Sequence, residues 1–356
     1  VLHVVFGKAY ALVPAYFDRD LAFVRAPAVQ LPLTAGGTAL LASAAAGVRP
    51  PVALVDGLAG VGAALWTAGV AVFLGTLAWT VRTNPTGGET GTGEANAHRR
   101  GVDRAANAVV PVALAYLAVG TYETLALATT LPTPFVAYAP RAAHLLGAGF
   151  AVLVLLAVGF RLLPRFLVES PPRALVGVVL PAGALGPLLL AGRFLRRGPW
   201  FRAGAALEAT AVGGFALAYA ALFARTERDR VGFYGVLAGA AFGTVGVALG
   251  LWFAFRGVDA SLTLAHRRAN LLGFLGLTVV GVAYQFYPPA VGRFPGARDR
   301  TALASITALA GGLALEIVGL AVGTTGVVLA GAGATAAGAV AFAYLVLGVF
   351  VQRGGP

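Results

Sequence analysis

Residues 260–291 read ASLTLAHRRANLLGFLGLTVVGVAYQFYPPAV, and this stretch decides the fold. From His266 to Pro288 is 22 residues, about 33 Å at the rise of an α-helix, which matches the roughly 30 Å hydrocarbon core of a bilayer. Its charges are Arg267 and Arg268, both beside His266. The stretch predicts a membrane-spanning helix with a histidine at its mouth and a proline at its stop.

The same pattern occurs twice more. YALVP at 10–14 and FRLLP at 160–164 end as YQFYP ends at 284–288, and His144 opens the second copy as His266 opens the third. Such recurrence marks a repeat unit. Aligned on the prolines, His3 falls opposite Leu153 and Leu277, in mid-helix, so the chain is expected to begin inside a helix. With no methionine and no charged stretch before an apolar core, Val1 is expected to be the edge of a longer chain.

The apolar share is 58% and charged residues make up 11%, against about a quarter in soluble domains, so the composition is that of a polytopic membrane protein in a lipid bilayer. A net charge of +12 raises the question of nucleic acid. The arginines, however, stand singly or in pairs at the ends of apolar runs, where they meet headgroups, and nucleic acid is excluded as a partner. The absence of cysteine removes disulfides, thiolate metal sites and cysteine catalysis. No histidines lie at i, i+3 or i+4, and no copper or zinc centre is expected.

Apolar runs of about 20 residues give eleven segments, near 1–14, 27–47, 52–81, 105–130, 141–164, 173–192, 199–224, 230–255, 262–288, 301–324 and 326–351. The repeat-bearing helices are then the first, fifth and ninth. The expected fold is an all-α transmembrane bundle filling 1–356 as a single domain. It has about eleven spans, twelve if one precedes Val1, in three pseudo-repeats of four helices over roughly 1–130, 141–255 and 262–351. Sixteen lysines and arginines fall on one side of this topology and nine on the other. That places the C-terminus and the proline ends in the cytoplasm, in a multi-pass cell-membrane protein, with His144 and His266 facing outward. The cluster Arg193, Arg196, Arg197 and Arg202 runs against this count.

The connection 82–104, RTNPTGGETGTGEANAHRRGVDR, reads as a mobile cytoplasmic linker. It looks like a phosphate loop but lacks the lysine and hydroxyl that should follow Gly93. Gly235, Gly239 and Gly243, continued by Gly246 and Gly250, form a stripe that predicts close backbone packing in the membrane.

Ionisable residues inside a bilayer need a reason. Glu123, Glu208 and Glu316 are the candidates for a proton path. The bland alternative is a protonated or arginine-paired glutamate that fixes helix packing, and for Glu208 the nearby cation in sequence is Arg202. Asp56 lies a turn inside its helix and is expected to be wet. His98 belongs to the loop, and His3 sits near Lys8 without an assigned role. His144 and His266 are expected to share a position in the repeat and a side of the membrane. Facing imidazoles there suit the axial positions of haem iron, while the alternative is interfacial histidines bonded to backbone or water. Arg267 and Arg268 follow at the mouth, where guanidinium groups pair with propionates or simply mark topology.

Twelve helices in three four-helix arcs, with histidines at the outer ends of the second, sixth and tenth, resemble subunit I of the haem-copper oxidases, including the nitric oxide reductase branch. They are also similar to the NnrS-like membrane proteins. The resemblance implies a b-type haem held by His266, with His144 or a histidine expected before Val1 opposite it and propionates on Arg267 or Arg268. It further implies electron-transfer or nitric-oxide-related physiology and possible electron-transfer subunits as partners. The oxidases also need a histidine pair on the seventh helix and a second histidine on the tenth. Residues 173–192 carry no histidine, so no copper centre and no terminal oxidase activity are expected. The alternative function is a cofactor-free transporter or permease working through Glu123, Glu208 and Glu316.

Overall fold

The computed structural model describes residues 1–47, 57–133, 138–194, 196 and 198–354. Asp56 lies outside them. The described residues form eleven helices and no strand. They are α1 (Leu2–Tyr16), α2 (Ala26–Ala45), α3 (Leu58–Val81), α4 (Arg100–Ala128), α5 (Ala139–Leu167), α6 (Arg173–Arg193), α7 (Pro199–Arg225), α8 (Val231–Arg256), α9 (260–286), α10 (Asp299–Ala321) and α11 (Thr325–Gly354). All eleven expected segments are present. All but α1 are long and apolar enough to cross a membrane, and the protein is a multi-pass helical membrane protein. The break expected at Gly323 is real: α10 stops at Ala321, Gly323 takes φ +72°, and α11 starts at Thr325.

The helices pack as two compact units. The first comprises Leu2–Arg161 and Gly183–Arg196, the second Val1, Leu162–Ala182 and Arg197–Pro356. In the first, Phe6 of α1 packs on Phe73 of α3 at 4.6 Å between ring centroids and on Phe150 of α5 at 5.7 Å, and all three rings are buried. In the second, α8 lies against α9, and α10 pairs with α11.

Two helices are not α-helical throughout. In α5 the segment Leu145–Val152 is a π-helix, and in α9 the segment Ala269–Leu277 is another. π-Helices are rare, and these begin one and three residues after His144 and His266. Two helix ends share one geometry. Among the described residues Asp18 and Val168, 150 residues apart, are the non-glycine residues with positive φ, at +52° and +57°. Each follows a helix whose proline carbonyl accepts from the residue beyond: Arg19 N–H to Pro14 O at 2.9 Å and Glu169 N–H to Pro164 O at 3.0 Å. This is the left-handed cap that satisfies terminal carbonyls.

The prolines expected as stops behave differently. Pro14 and Pro164 lie inside α1 and α5, whose last turns continue to Tyr16 and Leu167 because that cap closes them. Only the third copy stops short, at Phe286, with Pro288 beyond it in extended backbone.

Candidate functional site

The glycine stripe of α8 decides how the histidine helix sits. A Cβ on Gly235 would meet Gly281 Cα at 2.9 Å, on Gly239 the Thr278 hydroxyl at 2.6 Å, on Gly243 the Phe274 ring at 2.9 Å, and on Gly246 the Asn270 side chain. On Gly250 it would meet His266 Cε1 at 3.2 Å. The stripe thus lies along α9 from Gly281 up to His266, as glycines at this spacing do in lipid.

That contact sets the imidazole. His266 Nδ1 lies 2.8 Å from Gly246 O, and a carbonyl only accepts, so Nδ1 carries the proton and Nε2 the lone pair. The Phe253 ring meets the imidazole edge-on at 5.7 Å. Asn270 donates to the His266 carbonyl at 2.8 Å, supporting the turn where the π segment begins. Asp259 caps the start of α9, accepting from Leu262 N–H at 3.0 Å and from the Ser261 hydroxyl at 2.5 Å. These two bonds hold its carboxyl below the usual range.

His144 belongs to the first unit. Its Nδ1 lies 2.9 Å from Pro140 O in its own helix, and its ring packs edge-on against Phe194 at 4.7 Å. The expected equivalence of the two histidines needs correction. The prolines 164 and 288 and the π starts 145 and 269 are both 124 residues apart. In that register His144 falls opposite Arg268, and His266 opposite Ala142. Two residues turn a helix by about 200°, so the two imidazoles leave their helices on different faces.

What the two mouths share is a buried glutamate paired with an arginine. Arg141 meets Glu123 Oε1 at 3.1 Å and donates through Nε to Ala191 O at 2.9 Å. Arg268 pairs with Glu316, whose other oxygen accepts from the Thr335 hydroxyl at 2.8 Å. Glu123 and Glu316 are therefore arginine-paired between helices, and Arg268, expected at a propionate, is held by Glu316. Arg267 stays exposed. Glu208 is buried and its Oε1 has no hydrogen-bond partner among the described residues. Arg202, expected as its neighbour, lies over the Phe255 ring at 5.3 Å.

Sequence reasoning missed the most buried polar cluster. Arg161, counted among the loop arginines, lies inside α5 with 2% of its surface exposed. Its Nε faces Asp103 Oδ1 at 3.4 Å, its NH1 donates to Asn107 Oδ1 at 2.5 Å and Tyr16 O at 3.0 Å, and the guanidinium lies 3.9 Å over the Tyr16 ring. Asp103 and Asn107 are wholly buried, and Thr92 donates to Asp103. A cavity of about 10 Å³ beside Arg161 and Asn107 has room for about one water. The connection 82–104 is consequently no slack linker. Asn84 donates to Phe17 O at 3.0 Å and Glu89 O at 2.8 Å, and Arg19 pairs with Glu89 at 2.7 Å. The available signals were Asp103 and Asn107 at i, i+4 spacing and an arginine one turn inside an apolar run.

Among the described residues no group of three or more histidine or acidic side chains converges as a metal site. Comparison with known proteins finds no family model and no curated protein that matches the chain.

Proposed function

We propose that this membrane protein binds b-type haem through His266, as an oxidase-subunit-I-like or NnrS-like protein without a copper centre, in electron-transfer or nitric-oxide-related physiology. The observation that carries the reading is the Nδ1–H bond from His266 to Gly246 O. A metal-ligating histidine characteristically donates its other ring N–H to a carbonyl, which fixes the tautomer and directs the Nε2 lone pair at the metal. The residues around it fit an axial ligand: Gly250 and Phe253 pack the ring in place, and Arg267 stands exposed one residue on for a propionate. Bound haem would supply reversible one-electron chemistry. His266 would hold the iron, the α8 glycines would hold His266, and the apolar walls of α8 and α9 would limit water.

The test is dithionite-reduced difference spectroscopy on the purified chain, on His266→Ala and on His144→Ala. The reading expects a reduced b-type band that His266→Ala loses while the helical circular dichroism stays. An unmodified protein without a band, or one unchanged in His266→Ala, refutes it. A second reading, a cofactor-free transporter, has one observation in its favour: Glu208, a buried carboxyl with an unpartnered oxygen. Loss of proton-coupled uptake in Glu208→Gln vesicles would support it.

A further inference from the structure

At one end of the second unit, Val291, Arg293, Val349, Gln352 and Arg353 line an open pocket of about 440 Å³, within the 300–1,000 Å³ usual for small-ligand sites. We propose that this pocket binds the headgroup of an anionic phospholipid. Its floor is a folded feature: Gln352 Oε1 accepts from Arg293 N–H at 2.9 Å, pinning the turn after α9 onto the end of α11. Arg353 is steadied beside it, its guanidinium 5.7 Å over the Tyr287 ring, which packs on Phe350 at 4.4 Å.

Depth, charge and lining agree on the occupant. Arg353 stands 28 residues into α11, which begins at Thr325. That is about 42 Å of helix, so the pocket lies beyond the hydrocarbon core at headgroup level. Tyr287, whose ring lies under the Arg353 guanidinium, marks the same level, where tyrosines concentrate. Arg293 and Arg353 are both exposed, and neither pairs with a carboxylate among the described residues. Two arginines line the pocket, the cations that suit a phosphodiester, and Val291 and Val349 give the glycerol and upper acyl carbons an apolar wall. A phospholipid is favoured over a soluble phosphate because the bilayer presents its headgroups at this depth. The inference is independent of the haem reading.

The experiment is native mass spectrometry of the full chain in detergent, titrated with phosphatidylglycerol or phosphatidylcholine, with inorganic phosphate as competitor. Phosphatidylglycerol is expected to be retained selectively and to resist millimolar phosphate. Each guanidinium removed should weaken it about fivefold, the contribution usual for one basic residue at an anionic surface. Arg293→Gln/Arg353→Gln should then fall roughly 25-fold, Arg293→Lys/Arg353→Lys should keep the preference, and Arg298→Gln should behave as the unmodified chain. Elution volume and circular dichroism establish that each variant is folded. Equal retention of both lipids, an undiminished double glutamine variant, or displacement by inorganic phosphate would overturn the proposal.

Discussion

Replacing Arg161 by leucine tests whether the buried cluster under the 82–104 connection holds the first unit together. Arg161 and Asp103 are 2% and 0% exposed. The substitution takes the guanidinium away from the buried Asp103 carboxylate and removes the donor from Asn107 Oδ1. Breaking a buried ion pair from one side costs about 3–5 kcal/mol, because the remaining charge stays desolvated. The guanidinium over Tyr16 falls within that figure, since its stacking energy and the ion pair are not additive. Arg161→Leu/Asp103→Leu removes the buried carboxylate as well and should recover much of the loss, leaving about 1–3 kcal/mol for the Asn107 Oδ1 that has lost its donor. The assay is unfolding in mixed micelles with increasing dodecyl sulfate, followed by far-ultraviolet circular dichroism. A single variant within about 0.5 kcal/mol of the unmodified protein, the range of an ordinary surface change, refutes the cluster's role. So does a double variant no better than the single one.

The stripe of α8 gives a second expectation: Gly239→Ala sets a methyl against the Thr278 hydroxyl and backbone, at 2.6 and 3.0 Å. It should cost about 1–3 kcal/mol in the same unfolding assay, whereas Gly213→Ala, whose Cβ meets nothing within 4 Å, should not destabilise. Val168 holds a β-branched side chain at φ +57° on an exposed surface. Val168→Gly should therefore raise stability by about 1 kcal/mol, read as a shifted unfolding midpoint. For Asp259 the folded carboxyl titrates below its usual value, so its capping contribution is present above the unfolded pKa and fades as pH falls through the folded one. Hydrogen exchange at Leu262 should lose protection on acidification in the unmodified protein and lose less in Asp259→Asn, which keeps a neutral acceptor; equal losses would contradict the assignment.

Apolar length made the eleven helices legible, because a bilayer demands about 20 apolar residues per span whatever lies on either face. The stripe from Gly235 to Gly250 was legible for a related reason, since glycine at fourfold spacing leaves a flat helix face. Facing of the polar groups was not. In lipid a helix needs no polar outer side, so no periodicity says that Arg161 turns inward to Asp103 or that Arg268 reaches Glu316. The connection 82–104 misled by composition: its glycines and threonines suit a flexible chain, yet Asn84, Thr92 and Asp103 spend their side chains on holding it. The π segments have no compositional mark, while the offset of His144 from His266 was legible in the spacing to the prolines, 20 residues to Pro164 and 22 to Pro288.

Those segments also bear on how such a protein can change. A stretch of wide helix behaves as a slack joint in rotation, since tightening 269–277 to ordinary winding with all its residues kept would swing everything before it by at least one residue's turn, about 100° about the axis. His266 and Arg268 would turn together, away from Gly246 and Glu316, while Tyr284 kept its place beside Ser305. The same holds for Arg141 and His144 ahead of 145–152. A change of winding in either segment thus re-aims a whole charged mouth and leaves the opposite end of the helix where it was, whereas the loss of a single codon there lets the helix tighten with the mouth still aimed as it is.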